Sequence, residues 1–142
     1  MSAPRPSPVK SLFDKPFWEF AAAGELRLQR CADCATFRYP PAPCCPACVG
    51  ERAEWVALSG RGRIASWTVF HRQYLPEMPA PYPVVSVETE EGPLLIGNLV
   101  GAGIQDVRIG AAVELVFEPV TFGSEPGNLP QWRLSDVGKA EA

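Results

Sequence analysis

Two Cys-x-x-Cys pairs, Cys31-Ala-Asp-Cys34 and Cys45-Pro-Ala-Cys48, carry the clearest chemistry in the chain, with only ten residues between them. Each pair sets two thiolates on one tight turn, and two such turns facing each other form a tetrahedral sulfur cage. Zn²⁺ suits that cage, being borderline-soft, redox-inert and satisfied by four thiolates. Four protein ligands leave no open coordination position, so the metal fastens the fold and performs no reaction. Iron uses the same ligands in a rubredoxin-like site. Redox tuning there favours a longer separation and a glycine after each pair, to aim backbone N–H groups at the sulfurs. Ala35 and Val49 stand in those places. Disulfides would suit a secreted chain, yet Met1 leads into Ser-Ala-Pro-Arg-Pro-Ser-Pro with no apolar signal core or membrane-spanning run. A reducing cytoplasm is therefore the default. Cys44, the fifth thiol, is expected to be a spectator beside the ligand Cys45.

The other reactive side chains offer little. His71 is the one histidine, no Ser-His-Asp set is available, and no phosphate-cradling glycine-rich loop precedes a helix. A lone histidine in a strand is expected at the surface or at a barrel mouth. The net charge of −3 weighs against a general nucleic-acid binder, whose affinity comes from neutralising phosphates. Trp67, Phe70 and Tyr74 could nonetheless form a stacking platform, which keeps nucleic-acid binding as the alternative function.

These residues must be positioned by a small, mainly β protein. Of 142 residues, 46% are hydrophobic and 20% charged, which describes a soluble globular chain, and 16 prolines with 12 glycines favour short strands and turns. Residues 1–10 read as a disordered leader and 136–142 as a tail. Residues 11–25 predict a helix, with Asp14 as cap, Pro16 in the first turn and Gly24 at the exit. Phe17, Phe20, Ala21 and Gly24 share one face, with Phe13 and Trp18 beside it. So short a helix must dock its aromatic face, either on its own domain or on a partner protein. Residues 26–53 read as the Cys₄ ribbon, its pairs joined by the stiff Tyr39-Pro40-Pro41-Ala42-Pro43 stretch. Residues 54–135 read as about five strands, from Trp55–Leu58, a glycine bend at Gly60-Arg61-Gly62 and Ile64–His71 to Gln131–Leu134. Glu90-Glu91-Gly92 marks a hairpin between Val84–Val87 and Leu94–Leu99. The pattern is that of a small Greek-key barrel, the OB-fold, with an open sandwich as the competing topology.

Helix, Cys₄ ribbon and barrel in this order resemble the zinc-ribbon/OB-fold family associated with acyl-CoA metabolism. The matching stretches are Phe17-Trp18-Glu19, Gly24–Cys31, Pro40-Pro41, Cys45-Pro46-Ala47-Cys48, Ser59-Gly60-Arg61-Gly62, Ala80-Pro81-Tyr82, Gly97–Gly101 and Arg108-Ile109-Gly110. Ala35 and Val49 depart from it, where glycine is frequent. The resemblance implies a non-catalytic partner of thiolase-fold enzymes or retro-aldolases of sterol side chains, or a partner of MaoC-type hydratases. Ribbon and barrel would then support the partner and help form an acyl-CoA entrance. Under that reading Arg61, Arg63, His71 and Arg72 are candidates for the phosphates of coenzyme A. Phe13, Phe17, Trp18 and Phe20 are candidates for contact with a thiolase-like or aldolase subunit.

Overall fold

A computed structural model describes residues 3–135. The expected tail lies outside the described residues, as do the first two residues of the expected leader. The rest of that leader is not structureless. Its residues Ala3–Arg5 form strand β1, which pairs in parallel with residues 120–122 far along the chain. Arg5 anchors it through an ion pair to Glu118 at 2.8 Å, with both side chains largely buried. A three-residue strand carries no periodicity to read, so only the tertiary pairing reveals it.

Helix α1 spans Lys15–Ala22, shorter than expected. Asp14 spends its carboxylate on the preceding turn, accepting from the Ser11 N–H and from the Ser11 hydroxyl, and so does not cap α1 itself. Pro16 sits in the first turn, where its missing N–H costs nothing. Gly24 closes the helix at φ +81°, and Glu25 N–H returns to the Phe20 carbonyl at 2.9 Å.

The ribbon is a three-stranded antiparallel sheet. Strand β2 (Arg27–Cys31) lies between β3 (Phe37–Arg38) and β4 (Ala53–Ala57). Trp55–Ala57, expected as the first barrel strand, belongs instead to this ribbon sheet, running from Cys31↔Ala53 to Arg27↔Ala57. Leu28 and Leu26 beneath it are buried and merge with the barrel core.

The barrel contains β5 (Arg61–Phe70), β6 (Tyr82–Thr89), β7 (Leu94–Asn98), β8 (Ala112–Phe122) and β9 (Glu125–Leu134). Their order is β9-β8-β5-β6-β7. A parallel bridge from Leu99 to Trp132 closes the ring, with Val100 N–H donating to the Trp132 carbonyl at 2.8 Å. Five strands closed this way make the OB-fold expected from the sequence. Inward alternation along β6 (Val85, Val87) meets Ile64, Leu95, Val113 and Trp132, and Phe17 of α1 joins the same core. The glycine bend has a steric cause: a Cβ on Gly62 would stand 2.6 Å from the Glu88 carbonyl oxygen. Strands β8 and β9 run well past the expected Val113–Phe117 and Gln131–Leu134, turning at Gly123 with φ +62°. Pro119, Pro126 and Pro130 mask them in the sequence, yet each finds a place in the β8–β9 ladder.

Candidate metal centre

Each cysteine pair is wound into the same knuckle. In the first, Ala35 N–H donates to the Cys31 carbonyl at 3.0 Å, and Cys31 N–H to the Thr36 carbonyl at 2.8 Å. In the second, Val49 N–H donates to the Cys45 carbonyl at 2.9 Å, and Cys45 N–H to the Gly50 carbonyl at 2.9 Å. Closing such a turn requires left-handed backbone one residue after the second cysteine. Ala35 and Val49 both adopt φ +65°, so the departures from glycine leave the knuckles intact.

The sulfurs of Cys31, Cys34, Cys45 and Cys48 all lie within 4.8 Å of one another. Two pairs bridge the knuckles, Cys31–Cys48 and Cys34–Cys45, each at 3.5 Å. A tetrahedral Zn²⁺ with Zn–S bonds of about 2.3 Å asks for sulfurs about 3.8 Å apart, so the cage fits the ion. Backbone donors face the sulfurs, with Asp33 N–H 3.4 Å from Cys31 Sγ and Ala47 N–H 3.3 Å from Cys45 Sγ. The N–H groups of Cys34 and Asp33 hold the Cys31 thiol down at about 6. The Cys48 N–H likewise lowers Cys45. Backbone donors thus favour thiolate at Cys31 and Cys45, whereas at Cys48 the Gly50 N–H is outweighed by the crowding Cys31, Cys34 and Cys45 sulfurs and by burial, which push that thiol up to about 12. Cys44 is half-buried and outside this group of four.

The ribbon also uses polar residues that the spacing of cysteines does not announce. Gln29 is buried and accepts the Ala42 N–H at 2.9 Å, pinning the proline stretch. Asp33 of the first knuckle pairs with Arg52 beyond the second. Arg38 is only 2% exposed, and its guanidinium donates to the carbonyls of Ala42 (3.3 Å), Gly50 (2.8 Å) and Arg52 (3.3 Å). The available signal was a cation inside a ribbon too small for a core of its own.

The four candidate coenzyme A contacts are not brought together. Arg61 and Arg63 line an open groove of about 500 Å³ that also holds Glu88, Glu90 and Glu114. There Arg61 pairs with Glu90 at 2.9 Å, and Arg63 donates to the Gly110 carbonyl at 3.0 Å. His71 and Arg72 follow the far end of β5, roughly 30 Å of strand away. Arg72 lies over the Tyr74 ring, 5.3 Å from its centroid. The aromatic helix residues mostly face inward. Phe17 is buried, and Trp18 meets Phe17 and Phe122 edge-on at 5.1 and 5.6 Å. Phe20 packs on Trp55 beneath Arg27. Phe13 alone stays substantially exposed. Of the stacking platform, Phe70 is already stacked on Tyr82 (5.3 Å, 13°), and Trp67 projects from the opposite face of β5.

Two family models divide the chain at the same place. The ChsH2 rubredoxin-like zinc ribbon domain matches residues 18–54, and the ChsH2 C-terminal OB-fold domain matches residues 55–118. A DUF35 domain-containing scaffold protein of Methanocaldococcus jannaschii is 33% identical over 102 residues, covering 69% of this chain and 71% of that protein. The chain belongs to the ChsH2/DUF35 family of zinc-ribbon and OB-fold proteins. A solved structure of the Ltp2-ChsH2(DUF35) aldolase shares the fold with TM-score 0.79 and 35% identity, covering 89% of this chain and 98% of that one. A probable enoyl-CoA hydratase alpha subunit of Thermomonospora curvata is 43% identical over 113 residues. That match covers 78% of this chain and 35% of the hydratase subunit, so the chain spans about a third of that relative's length. The zinc ribbon match spans all four cysteines, whose sulfurs are positioned to bind one metal ion.

Proposed function

We propose that this protein is a non-catalytic accessory subunit of a thiolase-like acyl-CoA enzyme, supporting its partner and helping to form the acyl-CoA entrance. The observation that carries the reading is an apolar outer face on the barrel. Phe70 stands opposite Tyr82, Thr68 opposite Val84, and Ser86 opposite Ile96, so Phe70, Tyr82, Val84, Ile96 and Leu94 point to one side of the β5–β6–β7 sheet. Ile96 is 66% exposed and Leu94 55%. Exposed apolar side chains of this kind, interleaved with Thr68, Ser86, Glu88 and Asn98 on the same face, suit a protein partner far better than a phosphate backbone. It replaces the α1 face as the contact surface, because α1 spends its aromatics on the core. Support also comes from the aldolase pairing of the solved relative and the subunit naming of the hydratase relatives. The working compartment is the cytoplasm, where the thiols of the cage stay reduced. Among the described residues no helix is long and apolar enough to cross a membrane.

Co-expression with a thiolase-like protein from the same genome tests the proposal. The two should co-purify at fixed stoichiometry, and Ile96→Glu should abolish the complex while the isolated variant stays folded. Robust turnover of acyl-CoA thioesters by the isolated chain would overturn the accessory reading. Undiminished assembly of the Ile96 variant would overturn the surface.

A further inference from the structure

Arg38 presents a charge problem. Its side chain is among the largest fully buried ones, its Nε has no partner, and its remaining contacts are neutral carbonyls. Among the described residues no carboxylate pairs with it. Of the ribbon acids, Asp33 pairs with Arg52 and Glu54 with Arg30, while Glu51 is exposed and forms no ion pair with Arg38. A buried cation without a counter-charge is strongly disfavoured, and carbonyl dipoles compensate it only in part. The missing negative charge is next door. Four thiolates around one Zn²⁺ carry a net double negative charge, on a cage whose Cys31 and Cys45 are buried and whose Cys34 and Cys48 face solvent. The Gly50 peptide lies between the two. Its carbonyl accepts both from Arg38 and from Cys45 N–H, and a Cβ on its α-carbon would stand 3.3 Å from Cys48 Sγ.

We propose that Arg38 is the internal counter-cation of the zinc tetrathiolate, a positioning residue that tightens metal binding from one peptide away. Its fork also ties the proline stretch at Ala42 to the second knuckle at Gly50 and Arg52, so the same group balances the charge and fixes the cage. The dependence is mutual: the metal centre makes the buried arginine tolerable, and the arginine makes the dianionic cage tolerable.

The experiment measures zinc transfer from the purified chain to a chromophoric chelator for Arg38→Met and Arg38→Lys. Outer-shell partners of metal ligands contribute about tenfold or more to affinity. Arg38→Met should therefore release zinc at least about tenfold more readily, and Arg38→Lys, which keeps the charge, should fall closer to the unaltered chain. Cobalt-loaded variants should keep the thiolate-to-cobalt absorption of a tetrahedral four-sulfur site, showing that the ligands themselves are unchanged. A purely structural arginine would lower Tm equally with and without zinc. A counter-cation instead makes the rise in Tm on zinc loading smaller in Arg38→Met. Equal release by the Met and Lys variants, or release matching the unaltered chain, would overturn the proposal. Should Arg38→Met fail to fold even with zinc, Arg38→Lys against Arg38→Gln decides on the same readouts.

Discussion

Cys31 and Cys48 come from different knuckles and meet at 3.5 Å, so loss of either opens the cage on both sides. Cys31→Ser or Cys48→Ser should reduce metal analysis from one zinc per chain to a small fraction and unfold the ribbon, because binding and folding are coupled in so small a unit. Cys44→Ala should keep the full equivalent, and a loss near one zinc would mean that Cys44 is a ligand. Val49 poses a different question. A β-branched, 71% exposed side chain held at φ +65° is strained without compensating burial. Val49→Gly should therefore raise stability by about 1 kcal/mol in denaturant unfolding of the zinc-loaded chain, with a smaller gain for Ala35→Gly. The clustering of the four sulfurs was legible because metal spacing is encoded locally. Arg38 and Gln29 were not, since a buried polar residue is defined by what folds over it.

At the scale of elements, α1 converts an exposed-looking aromatic run into core. Phe17 is 6% exposed, and Phe17→Ala should cost about 3–5 kcal/mol. Exposed Phe13→Ala should stay within about 0.5 kcal/mol. Thermal melts compare the two directly, and equal effects would return the helix face to the role of docking surface. Helix, ribbon and barrel, with the β6–β7 hairpin, could be read from periodicity and turn residues. Three features could not. Strand β1 is too short to show a pattern, β4 looks like any barrel strand until β2 claims its edge, and β8–β9 hide behind prolines that a ladder can accommodate. In each case pairing across the fold overrides the local signal.

For the whole molecule, the groove beside Arg61 and Arg63 bears on substrate contact. Arg61 is 68% exposed on its side chain and already paired, and three carboxylates share the groove, so any attraction for coenzyme A phosphates there is weak. Alanine at both positions should change the acyl-CoA KM of the assembled complex by less than about threefold, the scale of an exposed ion pair. A tenfold rise in KM would mean that the partner buries this groove around the phosphates. The barrel's connectivity has a consequence in time. Ribbon strands β2, β3 and β4 lie close along the chain, whereas β8 must join β5 from about fifty residues away and also receives β1 from the opposite end of the chain. Local closure is fast and distant closure slow. A chain emerging from the ribosome can therefore capture its metal while β5, β6 and β7 still wait for the strand that completes their ring. Pulse-labelled hydrogen exchange during zinc-supplemented refolding should protect the amides of Arg27–Cys31 before those of Ala112–Phe122, and the reverse order would show that the barrel templates the ribbon.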